Sequence, residues 1–168
     1  MKRPAYVLAA SGFALLLNMA SVTAYAAAPA VFVDDASAKG MAEIQTSQLA
    51  LEKSQSADIK SFAQTMIEDH TAANKKLASI ANGLQVPMAK ETELMDRAKK
   101  MMLEYREGSF DKAYATNQVK AHEDTIELFN NELQTSQTPE LTAFVKETLP
   151  KLQHHLEMAK QLQAKYNH

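Results

Sequence analysis

Cysteine is absent from the 168 residues. That excludes disulfides, thiolate catalysis, iron–sulfur clusters, thioether-linked haem and a lipid on an N-terminal cysteine. Glycine and proline are scarce, four and five residues, and strand-like alternation of β-branched residues is weak. A chain with so few breakers and so much Ala, Leu, Lys, Glu and Gln is helical in composition. No glycine-rich phosphate loop occurs, and no serine stands in a nucleophile elbow. Clustered positive charge is missing too: the formal net charge is −2, which argues against nucleic acid as a partner. Beyond the N-terminus no apolar run is long enough to span a bilayer.

What is present begins with a basic start, Lys2 and Arg3, followed by an apolar run from Tyr6 to Ala20. That run has the length of a signal-peptide core and is short for a membrane span. Ala24, Tyr25 and Ala26 form a small-x-small cleavage site, so residues 1–26 are expected to be removed and 27–168 to form one domain. Removing 26 residues, two of them basic, leaves 142 with a formal charge of −4. Export places the protein outside the cytoplasm, with the periplasm the expected compartment and outer-membrane association open.

The spacing of apolar residues predicts four long helices and one short one. Helix A is expected from Asp34 or Asp35 to about Lys53, with a small-residue stripe of Ala36, Gly40, Glu43, Ser47 and Ala50. Helix B is expected from Ala57 to Asn82, capped by Ser56 and stopped at Gly83. Its stripe is Ile59, Phe62, Met66, His70, Ala73, Leu77, Ile80 and Leu84. A shorter helix follows, from about Met88 to Arg106, ended by Gly108. Helix C covers Phe110 to Gln134, through Ala115, Val119, His122, Ile126, Phe129 and Leu133. Helix D opens with Pro139 in its first turn and runs to about Tyr166, through Leu141, Val145, Leu149, Leu152, Leu156, Ala159 and Leu162. Pairs A/B and C/D are expected to be antiparallel, and B and C parallel; a five-helix up-and-down bundle is the alternative.

Each long helix carries one polar group on or beside its inner stripe: Glu43, His70, His122 and His155. His154, about 100° around the helix from His155, is expected outside. If the four inner groups share a layer, one carboxylate and three imidazoles suit a single divalent ion: zinc, iron, manganese or copper. Asp69 and Glu123, each next to a histidine, are candidates to hold an imidazole by its outer nitrogen. The other reading is of ordinary core histidines with satisfied hydrogen bonds.

The segments IKSFAQTMIEDHTAANKKL, GSFDKAY, AHEDTIELF and LPKLQHHLEMAKQL, in this order and with these gaps, resemble the bacterial domain-of-unknown-function 4142 family. The resemblance runs from about Val31 to Leu162. Its Asp-His element falls on Asp69 and His70, its second histidine element on His122, where Ala121 replaces the expected aspartate, and its Leu-Pro-x-Leu-x-x-His-Leu element on Leu149 to Leu156. The resemblance implies an exported all-α protein with a ferritin-like four-helix bundle, and no established activity. The wider ferritin-like group builds di-iron centres from Glu-x-x-His pairs. Here Ile67, Val119 and Leu152 stand three residues before the histidines, so a ferroxidase is not expected.

The expectation is therefore a non-enzymatic, exported bundle of the cell envelope that binds something, with a stress-related role suggested by the resemblance. The alternatives are a mononuclear metal protein using the Glu/His cluster and a module that docks a partner on a helix face.

Overall fold

In the computed structural model, residues 20–89 and 110–166 are described, with side chains from residue 29 onward. They form an all-α four-helix bundle: α1 (Ala20–Lys53), α2 (Ala57–Leu84), α3 (Phe110–Thr135) and α4 (Pro139–Tyr166). Of the expected short helix, Met88 and Ala89 are described and are not helical; the rest of it and the Gly108-Ser109 boundary lie outside the described residues, as does most of the expected signal peptide.

Two three-residue turns make antiparallel pairs of α1/α2 and α3/α4. Side-chain contacts fix the rest. Phe32 meets Phe129 edge to face, and Ser47 bonds Tyr114 at 2.9 Å, so α1 runs antiparallel to α3. Asp58 takes hydrogen bonds from Lys165 and Tyr166, and Lys76 pairs with Glu147, so α2 runs antiparallel to α4. Phe62 packs near Tyr114, placing the starts of α2 and α3 at the same end. The parallel B/C arrangement expected from sequence is the one observed.

Two boundaries and one cap differ from expectation. The first helix does not begin at Asp34 or Asp35. It already runs from Ala20, because alanine-rich sequence continues the helix upstream and Phe32 and Val33 are buried in the core. Ser56 does stand at the α2 N-cap, but its hydroxyl makes no capping bond; it donates to the Asp111 carboxylate and ties the first turn to the start of α3. Gly83 does not end α2. The helix continues to Leu84, and Gln85 takes the left-handed conformation at φ 56°. There the Val86 N–H donates to Ala81 O at 3.0 Å, a Schellman closure. Running past Gly83 brings Leu84 and Val86 against the apolar core.

The interior falls into two apolar clusters. One holds Phe32, Val33, Leu77, Phe129, Phe144 and Leu152. The other holds Ala50, Ile59, Met66, Tyr114, Val119 and Ala159. On every helix the polar residue singled out above falls between members of the two clusters. The apolar halves provide the burial energy, and the polar layer between them is where chemistry can sit.

Candidate metal centre

His70, His122 and His155 come from three helices and meet in that layer. Their ring centroids are 5.6 Å (His70–His122), 5.5 Å (His70–His155) and 5.5 Å (His122–His155) apart, close to an equilateral triangle. Each ring offers a nitrogen such that the three lie within 4.8 Å of one another. The residues are 6 %, 1 % and 2 % exposed. Helical spacing explains the convergence. His70 follows Met66 by four residues, His122 follows Val119 by three, and His155 follows Leu152 by three, so each imidazole continues a stripe that the core already draws inward.

Two of the rings are held from outside. His122 Nδ1 lies 2.8 Å from the Gln118 carbonyl, so Nδ1–H donates and Nε2 keeps its lone pair. His155 Nε2 lies 2.9 Å from Asp69 Oδ2, so Nε2–H donates and Nδ1 keeps its lone pair. His122 Nε2, His155 Nδ1 and His70 Nε2 are all buried without a hydrogen-bond partner. An unpaired buried acceptor costs about 1–3 kcal/mol. Three together amount to a penalty that a packed apolar layer would not carry.

Burial keeps the His70 and His155 rings neutral. Burial pushes His70 down to about 3, helped by repulsion from His122 and His155 and opposed weakly by Asp69. Burial likewise pushes His155 down to about 4, against the raising effect of the Asp69 hydrogen bond. For Asp69 burial acts to raise the pKa, but hydrogen bonds from Lys151 and His155 outweigh it and hold the carboxyl below its ordinary value. Lys151 Nζ bonds the other Asp69 oxygen at 2.9 Å. A neutral imidazole with its outer N–H fixed is the form that binds metal.

The other sequence candidates fall differently. Glu43 is 4 % exposed and lies in the same layer, but its carboxylate does not join the histidine group. Burial raises its pKa, with His122, Gln118 and Lys39 opposing, and Oε2 has no hydrogen-bond partner. Asp69 does hold an imidazole, that of His155 and not of its chain neighbour His70. Glu123 is exposed, and among the described residues no hydrogen bond joins it to a histidine. His154 is exposed, as expected.

Sequence reading passed over Gln118, which is fully buried beside Glu43. Its amide lies close enough to lower the Glu43 pKa, yet neither side-chain atom reaches hydrogen-bonding geometry. The signal was available: Gln118 lies three residues after Ala115 and four before His122, on the stripe itself.

Ile67, Val119 and Leu152, where di-iron proteins of this architecture would carry carboxylates, offer no ligand atom, and Val119 and Leu152 are core residues. No helix among the described residues is long and apolar enough to cross a membrane.

A family model described as a domain of unknown function, DUF4142, matches residues 15–162, and the chain belongs to that family. No curated protein and no solved structure matches it.

Proposed function

We propose that this DUF4142 protein is an exported, non-enzymatic binding protein of the cell envelope that holds one divalent transition-metal ion through His70, His122 and His155. The observation that carries the reading is the set of three buried, unpartnered ring nitrogens on three different helices. Three imidazoles suit zinc, copper, iron or nickel better than the oxygen-seeking magnesium or calcium. Tetrahedral ligation at about 2.0–2.1 Å puts nitrogens roughly 3.3 Å apart, so ring rotation would draw the triangle together on binding. Asp69 and the Gln118 carbonyl supply the outer hydrogen bonds that orient two ligands. Glu43, electrostatically coupled to His122, supplies a compensating acid on the α1 side. The absence of the Glu-x-x-His carboxylates favours one ion over a di-iron pair.

Export rests on residues 1–26. Cleavage after Ala26 would leave Pro29 as the third residue of the mature chain. A missing N–H there costs nothing, since the first turn's N–H groups have no intrahelical acceptor. A role under oxidative or envelope stress is the physiological setting proposed, by analogy with ferritin-like proteins.

Elemental analysis of the protein purified from its own envelope, with calorimetric titration of the metal-free form, tests the reading. About one ion per chain is expected, as for a single closed or three-histidine site, and His70→Ala, His122→Ala and His155→Ala should each abolish tight binding while His154→Ala does not. A metal-free chain whose melting is unmoved by zinc, copper, iron, nickel or manganese overturns it. N-terminal sequencing of the envelope form should begin at Ala27.

A further inference from the structure

A cleft opens onto the histidine layer. It measures about 200 Å³, lies between α2 and α4, and is walled by Asp69, His70, Thr148, Lys151, Leu152 and His155. His122 is not in its wall and approaches from the far side. His70, in the wall, is the most exposed of the three rings.

Resting on the metal reading above, we propose that the ion's remaining coordination position faces this cleft and is filled by a small anion from solvent with an oxygen or nitrogen donor. Three protein ligands leave a fourth position open, the arrangement of exchangeable rather than closed sites. Nothing in the layer fills it, since the Glu43 carboxylate lies outside the histidine group. Charge selects the sign of the ligand. Neutral imidazoles offset none of the ion's two positive charges and the Glu43 carboxylate, beside His122, offsets at most one, while Asp69 is balanced by Lys151 and Lys76 by Glu147. The cleft is therefore positive once the metal is bound. Its volume, about 200 Å³, leaves room for a small anion such as a triatomic ion or a short carboxylate.

The test uses the mature chain loaded with cobalt(II), whose visible spectrum reports coordination, titrated with azide and separately with acetate. A saturable spectral change with azide is expected. Thr148→Trp, which narrows the cleft and leaves all three histidines in place, should retain cobalt and bind azide roughly tenfold or more weakly; Ala72→Phe, at the same cleft, serves if the tryptophan variant does not fold. Cobalt bound with a spectrum indifferent to azide overturns the open position. Azide binding unchanged in the cleft-filled variants overturns its location. Failure of cobalt to bind at all overturns the metal reading itself, a result distinct from the other two.

Discussion

Asp69 Oδ2 accepts a hydrogen bond from His155 Nε2 at 2.9 Å, across 86 residues of chain, although Asp69 is the immediate neighbour of His70. The side chains of Asp69 and His70 diverge by about 100° around α2. His70 therefore points into the layer while Asp69 points toward α4 and reaches the imidazole arriving from there. One Asp-His dipeptide thus contributes a candidate ligand and the orienting partner of another.

That division predicts the effect of Asp69→Ala. The His155 ring loses the acceptor that fixes its tautomer, and Lys151 loses its partner. Losses of this kind cost about 10–100-fold in metal affinity. Competition with a chromophoric chelator at neutral pH should show that drop for Asp69→Ala. Removing the exposed Glu123 carboxylate should leave affinity unchanged.

The metal-free protein should lose stability on mild acidification. His70 and His155 have folded pKa values near 3 and 4, while an unfolded histidine titrates near 6.5. Between those limits the unfolded chain binds more protons than the folded one, so stability rises with pH through this window. It is fully present above about pH 6.5 and drains away as pH falls toward 4, by a few kcal/mol at most of the ~1.4 kcal/mol per unit that each shift allows. Urea melts at pH 7, 6, 5 and 4 measure it. His70→Leu should flatten the profile by removing one of the two groups.

The bundle was legible because apolar spacing on α2, α3 and α4 is regular, and the same regularity made the histidines conspicuous. His70, His122 and His155 interrupt stripes that are otherwise mostly apolar, so their inward direction followed from helical period alone. What could not be read was anything depending on the angle between helices. Asp69 was readable as a candidate to hold an imidazole but not as the partner of His155, since pairing across α2 and α4 needs the register of two distant segments. Glu43 was readable as buried but not as standing apart from the imidazoles, for the same reason. Helix ends were misjudged where local signals competed with the core. Gly83 is the better stop signal, yet Leu84 and Val86 gain apolar contact if the helix runs one residue further.

This competition leaves residues out of place at the end of α2, with a measurable cost. Gly83 sits inside the helix, and a methyl group there would meet nothing within 4 Å. Gln85 holds φ 56°, a conformation that costs a side-chain-bearing residue about 1–2 kcal/mol. Gly83→Ala should stabilise by about 0.5–1 kcal/mol through helix propensity. Gln85→Gly should stabilise by a similar amount, about 0.4–1 kcal/mol after the entropy a glycine adds to the unfolded chain. The sites are two residues apart but share no side-chain contact, so the double variant should be close to additive in chemical denaturation.

Gly40 should respond in the opposite way to the same substitution. It lies inside α1, buried against α2, and a Cβ there would fall 2.4 Å from Asn74 Oδ1 and 2.9 Å from Asn74 Cγ. Asn74 is not free to swing away without loss, because its Nδ2 donates to the Ser37 carbonyl at 3.3 Å and so ties α2 to α1. Gly40→Ala gains the same helix propensity as Gly83→Ala but forces Asn74 out, losing a hydrogen bond of about 1 kcal/mol and straining the helix contact. Its net effect should be destabilising, by about 1–2 kcal/mol if the crowding costs what overpacking usually does. Asn74→Ala should lose stability on its own, since Nδ2 no longer bonds α1. Combined with Gly40→Ala it should lose less than the sum, because the smaller side chain makes room for the new methyl. The coupling, read from a double-mutant cycle of denaturation midpoints, should be on the order of 1 kcal/mol and favourable. Strict additivity would mean that α1 and α2 can separate slightly at this level, and the close approach would then not be what keeps glycine at position 40.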